Sequence, residues 1–251
     1  MKRGLLVIDR GSREHEAEQE LNLMCSRLLE RGSYEFVDYC FLEVVPPFLD
    51  QGMADALNRH PDELTIVPYF LYPGRKVKAA VTDAMKFQAG TDVKLVVTRA
   101  MSMHRTMVDI VEGRILAALK DAGLDTPTGE VDVLIIGHGS KDPNAAISIR
   151  YLMDGLSPRY RNVDYCFLEL EQPDIAHGIE KCKANRPRVL AVVFYFLHEG
   201  AHVKRDIYED LNPALEGADL GKVVITKHIG ADERMVDLIL ERAKEVEDAA
   251  R

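Results

Sequence analysis

Residues 37–43 read Val-Asp-Tyr-Cys-Phe-Leu-Glu, and residues 163–169 read the same. Three further blocks match in the same order along the chain: residues 8–12 with 136–140, 69–78 with 195–204, and 107–110 with 235–238. A long identity flanked by ordered partial matches is the signature of an internal repeat. The chain is therefore a tandem duplication, and comparing its two repeats position by position shows where they have diverged.

Each repeat alternates short apolar runs with segments of helical spacing. Strand patterns of the first repeat lie at residues 5–8, 36–43, 64–71 and 93–98, and its helical patterns at 13–30, 48–59, 77–87 and 106–120. Strand patterns of the second repeat lie at residues 131–136, 163–169, 189–197 and 223–226. Such alternation predicts parallel sheets covered on both faces and connected by right-handed crossovers. We predict an α/β protein with two tandem-duplicated, doubly wound domains, each a four-stranded parallel sheet flanked by helices, and an interdomain cleft.

Composition narrows the class of protein further. The 251 residues give each repeat enough chain for its own core, and a linker rich in turn residues predicts domains at 1–122 and 130–251. The net charge of −9 argues against nucleic acid as the main partner. No apolar run is long enough to span a bilayer and no signal-peptide pattern is present, so we expect a cytoplasmic protein without membrane contact. Its four cysteines lack C-x-x-C spacing and are expected to be buried thiols.

Histidines of the second repeat follow its predicted strands. His138 comes directly after the first strand, Glu169 ends the second, and His198 and His202 follow the third, with His228 just past the fourth. Carboxyl ends of parallel strands meet at one edge of a sheet, where ligands bind. Two imidazoles and a carboxylate can hold a divalent metal such as cobalt, nickel, iron or zinc with positions left open. We therefore predict that His138, His202 and Glu169 form a metal-handling site.

The first repeat carries cations in place of these histidines. Arg10 and Lys76 stand where the second repeat has His138 and His202. One repeat is thus expected to do the chemistry and the other to supply charge, although Arg10 and Lys76 could also be solvated loop cations. The carboxylate is the less certain ligand, because its copy Glu43 occurs in the repeat without histidines and both could be structural.

One motif has to be weighed against its context. Residues 198–202 read His-Glu-Gly-Ala-His and match the H-E-x-x-H signature of zinc hydrolases. That chemistry needs both histidines on one continuous helix. Here an apolar strand pattern leads directly into His198, Gly200 lies inside the motif, and the other repeat has Pro73 and Gly74 nearby. Proline and glycine indicate a strand-to-helix loop, so the zinc hydrolase is the least favoured alternative.

The sequence also resembles a known family. Gly-His-Gly-Ser at residues 137–140, Phe-Leu-Glu at 167–169 and Phe-Leu-His-Glu-Gly-Ala-His-Val-Lys at 196–204 are similar to motifs of the class II sirohydrochlorin chelatases of the CbiX and SirB type. The resemblance covers both repeats. It implies two α/β domains and an ATP-independent enzyme, without an organic cofactor, that inserts Co²⁺, Ni²⁺ or Fe²⁺ into a tetrapyrrole. The histidine pair lies in the second repeat, whereas long bacterial members usually carry it in the first.

The resemblance also implies roles for individual residues. His138 and His202 are the expected metal-handling pair, with Glu169 as the accompanying carboxylate, and the divalent metal is a substrate. Sirohydrochlorin is a polyanion, so we expect Arg10, Lys76 and Lys204 to bind its carboxylates, and Ser140 and His198 to line its site. A non-catalytic tetrapyrrole or metal carrier is the alternative from another functional class. Because the duplication could replace a homodimer of half-length chains, we expect a monomer or a homodimer.

Overall fold

The computed structural model describes residues 1–142, 145–198 and 200–249, apart from the side chains of residues 145, 201–204, 248 and 249. Strands and helices alternate along the first repeat in the order β1 (Arg3–Asp9), α1 (His15–Arg31), β2 (Phe36–Phe41), α2 (Leu49–Leu57), β3 (Glu63–Pro68), α3 (Arg75–Met85), β4 (Lys94–Val97) and α4 (Arg105–Asp121). The second repeat continues with β5 (Val131–Gly137), α5 (Ala145–Leu156), β6 (Asn162–Phe167), α6 (Ile175–Asn185), β7 (Val189–Phe194), α7 (Ala201–Leu215), β8 (Lys222–Ile225) and α8 (Glu233–Ala249). Short 3-10 helices lie at Lys86–Gly90 and Thr128–Glu130.

Both repeats form the predicted four-stranded parallel sheet. The strand order is β2-β1-β3-β4 in one sheet and β6-β5-β7-β8 in the other, and all neighbouring strands are parallel. The two central strands of each sheet are mainly apolar and almost wholly buried, as expected where helices cover both faces. The order reverses between β1 and β3, and between β5 and β7, so the loops after β1 and β5 lie at the switch point where α/β proteins bind ligands.

The compact units of the structure do not coincide with the sequence repeats. The first unit comprises Met1–Ser102 and Ala231–Arg251, and the second comprises Met103–Gly230. The first unit therefore includes α8, which packs on α1, β3 and β4, and the second includes α4, which packs on α5, β7 and β8. The predicted boundaries, 1–122 and 130–251, follow the repeats, whereas packing assigns the last helix of each repeat to the unit built from the other.

Each unit has its own apolar core on the face covered by its middle helices. In the first unit Leu6 and Ile8 of β1 pack with Met53 of α2, and in the second unit Leu134 and Ile136 of β5 pack with Ile179 of α6. All four cysteines are free and buried, as predicted. Burial raises the pKa of the Cys40 thiol to about 12, which keeps it protonated and unreactive at neutral pH. No helix in the described part of the chain has the length and apolar character needed to cross a membrane.

Candidate metal site

The loop after β5 makes a tight turn that only glycine permits. Gly139 has φ = +89°, and a Cβ built on it would lie 1.8 Å from the backbone carbonyl oxygen of Glu169. Gly11 makes the equivalent turn in the first unit, with φ = +98° and its built Cβ 2.2 Å from the carbonyl oxygen of Glu43. Because glycine lacks a Cβ, the loop after the first strand of each sheet can lie directly against the loop after the second. This close approach brings position 138 next to position 169.

His138 and Glu169 form the centre of the site in the second unit. The imidazole Nε2 lies 3.3 Å from Oε1 of Glu169, and the backbone N–H of Glu169 donates to the carbonyl oxygen of His138 at 3.1 Å. The edge of the His138 ring faces Phe196, with 6.4 Å between the ring centroids. The His138 side chain is 28% exposed and that of Glu169 is 53% exposed, so the pair opens to solvent on one side. An imidazole nitrogen and a carboxylate oxygen at this separation are a suitable pair of donors for a divalent transition metal.

Two sequence expectations need correction at this site. Glu169 does not end a strand, because β6 stops at Phe167 and the chain then bends toward the His138 loop, where Leu168 and Glu169 donate to the carbonyls of Gly137 and His138. His228 does not complete a metal site with this pair, since no three His, Cys, Asp or Glu side chains among the described residues are grouped to hold a metal. Instead, the carbonyl oxygen of His228 accepts a hydrogen bond from Arg114 at 2.9 Å.

The segment after β7 brings the remaining candidates to the same edge of the second sheet. His198 lies half-buried in a bend just after β7, Gly200 precedes α7, and residue 202 falls in the first turn of that helix. His198 and His202 are therefore not on one continuous helix, so the H-E-x-x-H match lacks the geometry of a zinc hydrolase. The side chains of His202 and Lys204 lie outside the described residues.

An ion triplet occupies the equivalent position in the first unit. Nε of Arg10 donates to Oε1 of Glu43 at 2.8 Å, and Nζ of Lys76 donates to Oε2 of the same carboxylate. Burial opposes the ionisation of Glu43, but the hydrogen bonds from Lys76 and Arg10 outweigh it and hold the pKa of this carboxyl below its usual range. Both cations are about half exposed. The structure thus places Arg10 and Lys76 together, as expected, but against a carboxylate of their own unit.

Ser140 forms hydrogen bonds through both its backbone and its side chain. Its N–H donates to Oε2 of Glu171 at 2.8 Å, and its hydroxyl oxygen accepts from the N–H of Asp142 at 3.0 Å. Sequence reasoning missed Glu171. A signal was present in the sequence. The first repeat has the uncharged Val45 at the position of Glu171, so the repeats differ in charge there, as they do at Arg10 and His138.

Other histidines have ordinary structural roles. Nδ1 of His104 accepts from the N–H of Thr106 and caps α4, and His177 pairs with Asp174 at the start of α6. His15 lies on the exposed surface of α1, 3.8 Å from Glu18. None of these three histidines was predicted to handle metal.

Comparison with known proteins places both repeats in one family. The sequence model of the CbiX family matches residues 4–118 and, a second time, residues 132–246. The chain belongs to the CbiX family. The family assignment agrees with the resemblance found from the Gly-His-Gly-Ser and His-Val-Lys motifs.

Curated relatives of this CbiX-family protein carry chelatase names. It is 25% identical over 211 residues to a sirohydrochlorin cobaltochelatase of Priestia megaterium, covering 81% of this chain and 67% of the relative. It is 20% identical over 244 residues to a sirohydrochlorin ferrochelatase of the same species, covering 96% and 89% of the two chains. A sirohydrochlorin cobaltochelatase of Sulfurisphaera tokodaii is 34% identical over 115 residues, which are 45% of this chain and 92% of the relative. That relative is therefore about as long as one repeat.

Solved structures confirm the fold of the CbiX-family protein. SirB from Bacillus subtilis with Fe³⁺ superposes with a TM-score of 0.83 at 20% identity, covering 98% of this chain and 95% of SirB. The structure of CbiX described as the terminal enzyme for biosynthesis of siroheme in denitrifying bacteria gives a TM-score of 0.68 at 19% identity, covering 98% and 99%. The predicted pair of α/β domains with parallel four-stranded sheets is thus confirmed.

Proposed function

We propose that this CbiX-family protein is a sirohydrochlorin metal chelatase that inserts Co²⁺, Ni²⁺ or Fe²⁺ into the macrocycle without ATP or an organic cofactor. The observation that carries the proposal is the His138–Glu169 pair, half open to solvent at the ligand-binding edge of the second sheet. The names of the curated relatives support sirohydrochlorin as the tetrapyrrole and cobalt or iron as the metal. We expect the reaction to take place in the cytoplasm, in a monomer or a homodimer.

The chemistry requires weak, exchangeable ligands and a proton acceptor. In the reaction the divalent ion enters the macrocycle and the pyrrole N–H protons leave, so the charge of the metal is balanced by the protons released. We propose that His138, His202 and Glu169 hold the incoming ion as a substrate and release it to the pyrrole nitrogens. A neutral imidazole is a ligand for all three ions and also accepts a proton near neutral pH. Once the metal has left, His138 or Glu169 can take up a pyrrole proton and pass it to solvent.

Substrate binding calls for positive charge, because sirohydrochlorin carries several carboxylates. Arg10 and Lys76 bring two cations to one carboxylate, so the triplet with Glu43 keeps a net positive charge, and both cations remain about half exposed. We propose that they bind substrate carboxylates, together with Lys204, and that Ser140 and His198 line the site. Arginine suits this role because its guanidinium can bind a carboxylate through two parallel hydrogen bonds.

The experiment that tests the proposal measures metal insertion directly. Purified protein is mixed with sirohydrochlorin and Co²⁺, Ni²⁺ or Fe²⁺, and the absorbance change of the macrocycle is followed. We expect multiple turnovers per chain and a loss of about 100-fold or more in His138→Ala, because the group that holds the metal is removed. His177→Ala is the matched control, since His177 is an exposed histidine of the same unit that pairs with Asp174 at a helix start.

Different failures would have different meanings. A rate no faster than the uncatalysed reaction would refute the chelatase. Binding of one equivalent of sirohydrochlorin or metal without turnover would instead favour the non-catalytic carrier. An Arg10→Ala variant with an unchanged KM for sirohydrochlorin would remove Arg10 from the substrate site while leaving the role of His138 intact.

A further inference from the structure

Glu171, in the loop after β6, forms a side-chain hydrogen bond to the loop that carries His138. Its Oε2 accepts the backbone N–H of Ser140 at 2.8 Å, two residues beyond the histidine, and its own N–H donates to the carbonyl oxygen of Glu169 at 2.8 Å. Glu171 is therefore fixed to its own loop, that of Glu169, through its backbone, and its side chain reaches across to the His138 loop. A hydrogen bond from a backbone N–H to an ionised carboxylate is among the stronger contacts available to a loop.

The first unit holds the equivalent loop in a different way. There the N–H of Gly11 donates at 2.8 Å to Oδ1 of Asp9, a residue of the same turn. The second repeat has Gly137 in place of Asp9, so it has no side chain to close the turn from within. It has Glu171 where the first repeat has Val45. The two differences are complementary. The second repeat lacks a carboxylate at position 137, inside the turn, but has one at position 171, on the neighbouring loop.

For Glu171 the described residues show a hydrogen bond to Ser140 and no grouping as a metal ligand. His138, Glu169 and Glu171 do not form a group that could hold a metal, since the described residues contain no such group of three. Its carboxylate is instead used by the Ser140 N–H. The backbone is thus fixed before the imidazole at the carbonyl of Gly137, which accepts from Leu168, and after it at the N–H of Ser140, which donates to Glu171.

We propose that Glu171 is a positioning residue for His138, an inference that rests on the proposed metal-handling role of that histidine. By anchoring the Ser140 N–H, Glu171 fixes the direction in which the imidazole points and keeps Nε2 close to Glu169. Groups that orient a metal ligand without touching the metal commonly change affinity or activity by about 10- to 100-fold when they are removed. Removing Glu171 should therefore weaken metal binding more than substrate binding, because the loop that it anchors carries the imidazole of His138.

The test compares Glu171→Ala and Glu171→Gln with Val45→Ala, the same position in the first unit. Co²⁺ affinity is measured by titration of the protein with the metal alone, kcat and KM are measured with sirohydrochlorin, and stability is measured by urea unfolding. For Glu171→Ala we expect Co²⁺ affinity and kcat to fall about 10- to 100-fold, with KM for sirohydrochlorin within about 3-fold of the wild type. Glu171→Gln should recover to within about 3-fold, because its amide oxygen accepts the same N–H. Val45→Ala should match the wild type.

Two results would overturn the proposal. Unchanged Co²⁺ affinity in a folded Glu171→Ala variant would show that the loop does not need this anchor. A Glu171→Gln variant as weak as Glu171→Ala would show that the charge acts and not the hydrogen bond, which is the behaviour of a ligand or a base. If the wild type binds Co²⁺ but shows no turnover, the chelatase proposal fails, while the affinity comparison among these variants still decides the role of Glu171.

Discussion

The two units place different chemistry at the same position of the same fold. In the first, Glu43 is held by Arg10 and Lys76, so its negative charge is met by cations of its own chain. In the second, Glu169 faces the imidazole of His138 and half of its surface is open. The comparison teaches that the same position of the fold can carry either a carboxylate neutralised by two cations of its own unit or a carboxylate beside an imidazole. The glutamate and the glycine turn occur in both units, where the glycine packs on the backbone of the glutamate and the glutamate N–H bonds to the loop after the first strand.

A second difference lies in how each unit holds the helix that the other repeat supplies, which is α8 in the first unit and α4 in the second. In the first unit Glu247 of α8 is buried and accepts hydrogen bonds from Arg3, Tyr34 and Thr65 at 2.7 to 2.8 Å. The equivalent positions of the second unit are Leu119 of α4, Val131, Tyr160 and Ala191, all buried and mostly apolar. A carboxylate at position 119 would have no arginine to meet it at position 131. The polar network therefore matches α8 to the sheet of the first unit and makes it a poor substitute for α4.

The largest effect is expected from converting the first unit into a copy of the second. Arg10→His together with Lys76→His puts imidazoles on both sides of Glu43, where the ion triplet now stands. We expect the number of Co²⁺ sites per chain to rise from one to two, measured by calorimetric titration, because the donor set of the second unit is recreated on the same loops. The double variant Arg10→Ala with Lys76→Ala is the control and should keep one site. If the variant with Arg10→His and Lys76→His still binds one Co²⁺ ion, the loops of the first unit cannot form the metal site proposed for the second.

The next effect in size concerns the fourth helix of the first unit. Glu247→Ala should lower the free energy of unfolding by about 3 kcal/mol, because it leaves Arg3 without its partner in a largely buried position. Urea unfolding measures the loss. Glu247→Gln should lose less, since the amide can still accept from Tyr34 or Thr65. A loss below about 0.5 kcal/mol in Glu247→Ala would show that α8 is held by apolar packing alone.

A smaller effect is expected from Glu43 and it should depend on pH. The pKa of this carboxyl is lowered in the folded protein, so its ion pairs add stability above the ordinary glutamate pKa of about 4.3, and the contribution is lost as the pH falls through the lowered value. Glu43→Gln should cost about 1 kcal/mol or less at neutral pH, because Arg10 and Lys76 are half exposed and screened by salt. Urea unfolding of the variant and the wild type at neutral pH and at a series of increasingly acidic pH values measures the loss. A difference between variant and wild type that grows toward acid would contradict the assignment.

The smallest effect is expected in the loop after the site glutamate. Val44 has φ = +76° and Leu170, at the equivalent position, has φ = +67°. A β-branched residue in the left-handed region is strained, so Val44→Gly should stabilise the protein by roughly 0.5 kcal/mol after the entropy of glycine in the unfolded chain is taken into account. Thermal unfolding measures the shift. Val45→Gly is the control and should destabilise, because Val45 has no positive φ to relieve.

Much of the fold was predictable because it depends on local pattern. The predicted strand at residues 131–136 is β5, and the predicted helix at 106–120 is α4 with one more residue at each end. Strand ends were harder. The apolar run continues to Glu43 and Glu169, but β2 stops at Phe41 and β6 at Phe167, because the next residues bond to the loop after β1 or β5. Those bonds join residues far apart in sequence and leave no local signal.

The candidate site was predicted in outline. Repeat comparison singled out His138, and the structure brings it to Glu169, while Arg10 and Lys76 meet at the equivalent place. The metal-handling and substrate-binding roles of these residues stay predictions, as do those of Ser140, His198, His202 and Lys204. The pairing of both cations with Glu43 was not predicted, because the sequence shows that two cations share an edge but not which anion lies between them. Glu171 was missed for the same reason, since its partner is a backbone N–H that no residue type reveals.

The sequence by itself determined the duplication, the two parallel sheets and the asymmetry of the repeats, because these follow from identity and from periodicity over short spans. Only the tertiary structure decided which sheet each fourth helix covers and which groups close the site in each unit. Helices α4 and α8 have similar apolar patterns, so either would suit a sheet surface, and the choice depends on side chains such as Arg3 and Glu247 that meet only after folding. Contacts across long sequence separations carry that information.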